Sequence, residues 1–257
     1  MRKLIETLKN IFKIEDLRQR ILYTLGILVV YRLGSFVVLP GINPTQLGAL
    51  QKQTEDGVMG LLDMFSGGAF SHASIFALGI MPYISASIVV QLLGMAIPYF
   101  QRLQKEGESG HRKINQITRY LTVLILALQA PGYLINLHHQ LPESAFALQG
   151  LFFTVMSTII LIGGTMFVMW LGERITEKGI GNGISLIIMI GIIARLPFAL
   201  AAEFFSRAEE MAGGLVMFLV EMVLLFVVFM FSILLVQGTR RIPVQYAKRI
   251  VGNRQYG

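Results

Sequence analysis

The chain has 257 residues, of which 54% are apolar and only 14% are charged, and its mean hydropathy is +0.64. A soluble domain of similar size carries about a quarter charged residues, so this composition argues against a soluble globular enzyme. The chain contains no cysteine, which excludes disulfides, thiolate metal sites and a cysteine nucleophile within it.

The first 20 residues form a basic segment with apolar residues at helical spacing, among them Leu4, Leu8 and Ile11. This pattern predicts an amphipathic helix over residues 1–20 that lies on an anionic membrane surface. A cleaved signal peptide is the alternative. It is disfavoured because no small-residue cleavage site follows and the apolar stretch is too long.

Six later segments are apolar over roughly 20 residues, the length needed to cross a hydrocarbon core about 30 Å thick. They are residues 21–38, 73–97, 117–137, 146–170, 184–202 and 213–236. No strand-like alternation competes with them, and a membrane barrel would need it. The sequence therefore predicts an all-α, polytopic membrane helix bundle with six transmembrane spans.

The loop between the first two predicted spans contains a short apolar stretch, GVMGLLDMFSGGAFSH. Its apolar residues predict a helix too short to cross the bilayer, and Ser66, Gly67 and Gly68 predict a sharp reversal after it. A helix of this length is either re-entrant or a surface cap, and the pattern alone does not separate the two.

Basic residues are distributed very unequally between the loops. Eighteen of the 22 Lys and Arg residues lie in the N-terminal segment, in the loops after the second and fourth predicted spans, and in the C-terminal tail. Because cytoplasmic loops are enriched in Lys and Arg, we predict that both ends of the chain are cytoplasmic. Lys52, Arg195 and Arg207 are assigned to the opposite side.

Several polar residues lie inside the predicted spans. Pro82 predicts a kink in the second span, and Ser85, Ser87 and Gln91 indicate a face that meets water or another helix. Two charged residues, Arg32 and Glu221, fall within the first and sixth spans. Ionisable residues at such depth are candidates for function, although Arg32 could equally extend to the membrane surface or pair.

Four stretches of the sequence resemble the SecY family, which includes the eukaryotic translocon α-subunit. They are residues 64–93, 105–120, 164–188 and 240–249, beginning MFSGGAFSH, KEGESGHRK, GTMFVMWLG and RRIPVQYAKR. The family forms protein-conducting channels from ten spans in two inverted halves. The resemblance implies that residues 1–202 are the first five-span half and that residues 203–257 hold the sixth span and the start of a cytoplasmic docking loop.

The resemblance also implies a role for four groups of residues. The plug over residues 60–71 would include Leu61, Leu62, Met64, Phe65, Ser66, Gly67 and Gly68. The apolar pore ring would include Ile80, Ile84, Ile184 and Ile188. One side of the lateral gate would carry Ser85, Ser87, Gln91 and Gln129, and the docking loop would carry Arg240, Arg241, Lys248 and Arg249.

The isoleucine pairs are spaced by four residues, which places each pair on one helical face. On periodicity alone, the same pattern also fits simple core packing. Glu221 stands where the family is expected to have an apolar residue.

The implied activity is passage of unfolded secretory chains across the bacterial cytoplasmic membrane and lateral release of membrane proteins into lipid. The implied partners are SecE, SecG, the SecA motor, the ribosome, signal sequences and membrane lipid, with no cofactor and no enzymatic activity. A small-solute transporter is the alternative, since broken helices occur there too. An intramembrane serine protease is disfavoured because no histidine follows Ser185.

Overall fold

The computed structural model describes residues 13–48, 58–148, 150–209, 214–239, 249–251 and 254–256. The helices are α1 Glu15–Gly34, α2 Val58–Ser66, α3 Met81–Ala96, α4 Pro98–Lys105, α5 Glu108–Gln140, α6 Leu151–Lys178, α7 Gly183–Glu209 and α8 Gly214–Gln237. Short 3-10 turns occur at Pro44–Gln46 and Glu143–Ala145. Two three-residue strands, β1 Arg249–Val251 and β2 Arg254–Tyr256, pair antiparallel.

Among the described residues, four helices, α5 to α8, are long and apolar enough to cross a membrane. The number rises to five if α3 and α4, which are bent by 100° to one another, count together as one span. The predicted all-α membrane bundle is confirmed, whereas the number of six spans stays a prediction. Helix α1 coincides with most of the first predicted span but begins earlier, at Glu15, so residues 15–20 belong to it. Residues 1–12 of the predicted amphipathic helix lie outside the described part of the chain.

The prediction for the start of the second span is wrong. Helix α3 begins at Met81, and residues 73–80 form turns instead. Ser74 pairs with Val38 in an isolated antiparallel bridge, and Gly79 has a φ of +56°, so this stretch cannot be helical. Pro82 therefore lies in the first turn of α3, where a missing N–H removes no helical hydrogen bond. The predicted kink at Pro82 is also wrong.

The chain divides into two compact units, residues 1–197 and 198–257. In the first unit, one apolar cluster packs the α2–α3 connection against α5 and α6; its members include Phe70, Tyr133, Leu137, Phe153 and Leu161. A second cluster lies between α1, the α2–α3 connection, α6 and α7; its members include Leu28, Tyr31, Phe76, Val168 and Ile187. The predicted division at residue 202 stays a prediction.

The second unit consists mainly of α8 and the end of α7. Residues 215–237 of α8 are apolar apart from Glu221, Ser232 and Gln237, and most of them are exposed. A helix that is apolar all round is suited to lipid or to an apolar protein neighbour rather than to water.

Candidate plug and pore site

Helix α2 is followed by a series of tight turns, and we refer to residues 58–73 together as the α2 segment. The helix ends at Ser66, so the predicted plug helix over residues 60–71 is wrong in its second half. Gly67 and Gly68 have φ values of +66° and +93°, which favour glycine, and the N–H of Gly68 donates to the carbonyl of Asp63 at 2.9 Å. The chain therefore reverses here, as the Ser-Gly-Gly sequence predicted.

Asp63 is buried at the centre of this reversal, with a side chain that is 2% exposed. One carboxylate oxygen lies 2.5 Å from Nη1 of Arg195 on α7. The other accepts the backbone N–H of Ser71 at 2.8 Å, and Nη2 of Arg195 donates to Oγ of Ser71 at 3.1 Å. Both carboxylate oxygens of Asp63 are thus engaged.

Asp63 was not among the residues predicted for the site, and Arg195 was assigned to the non-cytoplasmic side although it falls inside the predicted span 184–202. The available signal was one acidic residue in a short apolar helix and one basic residue inside a predicted apolar span. Such charges are expected to find a partner.

Arg32 provides a second basic contact from α1. Its Nη1 donates to the carbonyl of Gly67 at 2.8 Å. A Cβ on Gly67 would lie 2.8 Å from this Nη1 and 2.8 Å from Cα of Gly191 on α7, so only glycine fits between the two helices. Arg32, one of the two charged residues predicted inside spans, is therefore directed at the α2 segment.

Two tyrosine hydroxyls complete the attachment of the α2 segment. Tyr31 donates to the carbonyl of Ser66 at 3.2 Å, and Tyr133 donates to the carbonyl of Phe70 at 3.0 Å. We call Tyr31, Arg32, Tyr133, Gly191 and Arg195 the seat. Its residues come from α1, α5 and α7, so three helices hold one short segment.

His72 lies in the turns after α2, outside the membrane-spanning helices. Burial lowers its pKa, because the imidazolium form is desolvated. Asp63 opposes this shift, whereas Arg195 and Arg32 reinforce it. Burial and the two nearby arginines therefore favour the neutral form of His72 beside the Asp63–Arg195 pair.

The four isoleucines predicted for the pore ring lie within or against the second apolar cluster. Ile80 is buried, while Ile84, Ile184 and Ile188 are partly buried and pack against the cluster. Asn182 sets the start of α7, because its Oδ1 accepts the N–H groups of Ile184 at 3.1 Å and Ser185 at 3.2 Å. The ring assignment itself stays a prediction, since the same contacts fit core packing.

The backbones of α6 and α7 lie very close together at the start of α7, and this contact fixes where α7 begins. A Cβ on Gly183 would overlap the carbonyl oxygen of Gly172. The N–H of Gly183 donates to Oγ1 of Thr176 at 2.9 Å. These contacts with α6 fix the start of α7 and therefore the positions of Ile184 and Ile188 relative to α6.

The four predicted gate residues separate into two pairs. Ser85 and Gln129 line a cavity of about 440 Å³ between α2, α3 and α5, together with Leu62 and Phe65. Ser87 and Gln91 line a second cavity of about 390 Å³, with Gln104, His111 and Asn115. The amide of Gln91 also donates to Oγ of Ser87 at 3.3 Å.

The remaining predicted residues can be placed only in part. Met64 and Phe65 are exposed at the surface of α2, while Ser66, Gly67 and Gly68 are buried. The side chain of Leu61 lies outside the described part, as do Arg240, Arg241 and Lys248. Arg249 is the first residue of β1.

Comparison with known proteins identifies the family. The SecY family model matches residues 74–257. The chain belongs to the SecY family. The protein translocase subunit SecY of Escherichia coli K12 is 46% identical over 242 residues, which cover 94% of this chain and 54% of that protein. SecY of Buchnera aphidicola subsp. Acyrthosiphon kondoi is also 46% identical over 242 residues, covering 94% and 68%.

The chain thus spans about half the length of the first of these SecY relatives. Among solved structures, the Sec61 channel in a canine ribosome–channel complex from the endoplasmic reticulum aligns with a TM-score of 0.46 and 18% identity, over 90% of this chain and 50% of that one. As a SecY family member with several apolar helices of membrane length, the chain is a multi-pass membrane protein.

Proposed function

We propose that this chain is the N-terminal part of the central subunit of a bacterial protein-conducting channel. The complete subunit passes unfolded secretory chains across the cytoplasmic membrane and releases membrane proteins laterally into lipid. The observation that carries this proposal is the α2 segment, a short helix that does not span the membrane and is held among α1, α5 and α7. A bundle that served only as an anchor would not need such an element.

In this proposal the α2 segment is the plug of the resting channel. Ala69 of the α2 segment belongs to the same apolar cluster as Ile80, and Ile84, Ile184 and Ile188 pack against that cluster. The proposed plug and the proposed pore ring are therefore neighbours, as a two-part closure requires. Isoleucine side chains suit the ring because they offer no hydrogen bond to water or ions.

The cavity lined by Ser85 and Gln129 supports a lateral gate on α3 and α5. It is bordered by apolar α2 residues, including Leu62 and Phe65, so an entering apolar helix would meet both the gate and the proposed plug. Signal sequences are apolar helices, and such a surface would accept one.

Orientation with both ends in the cytoplasm is supported by an ion pair between two basic segments. Arg119, in the first half of α5, lies 2.6 Å from Glu173, five residues before the end of α6. The start of α5, with Arg112 and Lys113, and the end of α6, with Arg174 and Lys178, are therefore at the same end of the bundle. Under the positive-inside rule this end faces the cytoplasm.

The proposed partners are SecE, SecG, SecA and the ribosome. The sequence from Arg240 to Arg249 would supply cationic contacts to the motor or to ribosomal RNA phosphates. The same basic run also fits a positive-inside flank, so its docking role needs a binding measurement.

The proposed function is tested by protein import into inverted membrane vesicles whose only channel contains the complete protein. A precursor with a signal sequence should become protected from added protease, and the same protein without its signal sequence should not. Equal protease sensitivity of the two substrates, with accumulation of a small solute by the vesicles, would favour the transporter alternative instead.

A further inference from the structure

We infer that the ion pair between Asp63 and Arg195 sets how readily the α2 segment leaves its seat. This inference deepens the proposed function, since its consequence for channel closure rests on that function. The contact itself and its energetic role are independent of what the channel carries.

Asp63 is the one charged residue in the sequence of α2, VMGLLDMFS. Its side chain is almost wholly buried, and burial of a carboxylate is strongly unfavourable unless it is paired and hydrogen-bonded. Arg195 supplies the charge, and the Ser71 N–H supplies a hydrogen bond to the second oxygen. Asp63 is therefore stable in this position only while Arg195 faces it.

The other contacts of the seat are of a different kind. Arg32, Tyr31 and Tyr133 all donate to backbone carbonyls of the α2 segment. A carbonyl released from such a bond can accept from water with a small net change in free energy. Loss of one partner of a buried ion pair is more serious, because it leaves an uncompensated charge.

Arg195 is also the link between the two parts of the α2 segment. Its Nη1 contacts Asp63 on the helix, and its Nη2 contacts Ser71 in the turns after it. The side chain of Arg195 is 41% exposed, so water can reach the guanidinium when the pair separates. The pair is thus strong enough to hold the segment and accessible enough to be broken reversibly.

The measurement is the labelling rate of a single cysteine at Ala69, which is fully buried in the α2 segment. The chain has no natural cysteine, so Ala69→Cys gives one reactive site in it. The assembled channel in native membranes is treated with a water-soluble maleimide. Labelling then reports how often the segment leaves its seat.

We expect Asp63→Asn, which keeps an acceptor for the Ser71 N–H, to raise the labelling rate by about tenfold. Arg195→Met should raise it at least as much, because Asp63 then stays buried without its partner. The double variant should label no faster than Arg195→Met alone, since removal of both charges leaves no unpaired group.

The matched control is the double variant Arg207→Met/Glu221→Leu, which removes a different ion pair in the second compact unit. It should leave labelling at residue 69 unchanged. Labelling in denaturant normalises for the amount of protein, and thermal unfolding of the same samples detects general destabilisation.

Two results would overturn the inference. One is an unchanged labelling rate in both single variants, and the other is an additive effect of the two substitutions. Because the assay needs no transported substrate, a failure of import with the expected labelling pattern would count against the proposed function alone.

Discussion

The guanidinium of Arg207 lies 2.8 Å from the carboxylate of Glu221. Arg207 also contacts Glu203, one turn earlier in α7, at 2.8 Å. The acidic residue within the most apolar helix of the chain is therefore neutralised by a residue close to it in sequence. This contact gives a structural reason why Glu221 is tolerated where the family is expected to have an apolar residue.

Arg207→Met should reduce the free energy of unfolding by about 2 kcal/mol. This is less than for a fully buried pair, because both side chains are partly exposed. Combining it with Glu221→Leu should restore most of the loss, since no charge is then left alone in α8 and the side chain of Glu203 is 45% exposed to solvent. Denaturation of the detergent-solubilised protein checks this. A double variant as unstable as Arg207→Met would show that the pair has no such role.

Ile84→Ser and Ile188→Ser together should raise the resting ion conductance of the reconstituted full-length channel. Hydroxyl groups at an apolar constriction lower the free energy needed to wet it. Planar-bilayer recording checks this, and deletion of residues 60–65 should increase the leak further. Ile193→Ser is the matched control, because Ile193 is exposed on the same helix. A tight double variant that melts earlier than the parent would support core packing instead.

The single-cysteine variants Ser109→Cys and Ser144→Cys should be labelled from opposite sides of the membrane. Ser109 is at the start of α5 and Ser144 follows its end, and a helix of 33 residues is about 50 Å long. In intact cells, we expect the cysteine of the Ser109→Cys variant to be protected from an impermeant thiol reagent and that of the Ser144→Cys variant to react. The reverse labelling pattern would show that the predicted orientation is wrong.

Arg240→Glu or Arg249→Glu in the full-length protein should weaken binding to the ribosome or to SecA. The loss should shrink as salt rises, because charge attraction between exposed groups is screened. Lys52→Glu serves as a control, since Lys52 is predicted on the opposite side of the membrane. Unchanged affinity at low salt would leave these arginines as determinants of topology only.

The long helices could be predicted because an apolar run of about 20 residues has few alternatives in lipid. The start of α3 could not, because residues 73–80 are as apolar as the helix that follows. Their turn conformation depends on backbone pairing with Val37 and Leu39, which are far away in the chain: Ile75 N–H donates to Val37 at 2.9 Å, and Leu39 N–H donates to Ala73 at 2.9 Å. The composition of residues 73–80 alone does not indicate that pairing.

Only part of the candidate site could be predicted from the sequence. The Ser-Gly-Gly turn after α2 was predicted, since glycine at positive φ has a local signature. The contacts that hold the segment were not, because Arg32, Arg195 and Tyr133 lie on separate helices. Their side chains reach the α2 segment only once the helices have packed, and the positive-inside count assigned Arg195 to the non-cytoplasmic side.

The contact between Gly172 and Gly183 has a mechanical consequence. No methyl group fits between the two backbones, and Gly183 is hydrogen-bonded to Thr176, so a slide of the first turn of α7 along α6 would have to break these contacts. In the proposed channel, Ile184 and Ile188 would then keep their height relative to α6 if the pore widened. Dilation of the path would have to come from displacement of α6 and α7 together, as one block, or from elements that face them.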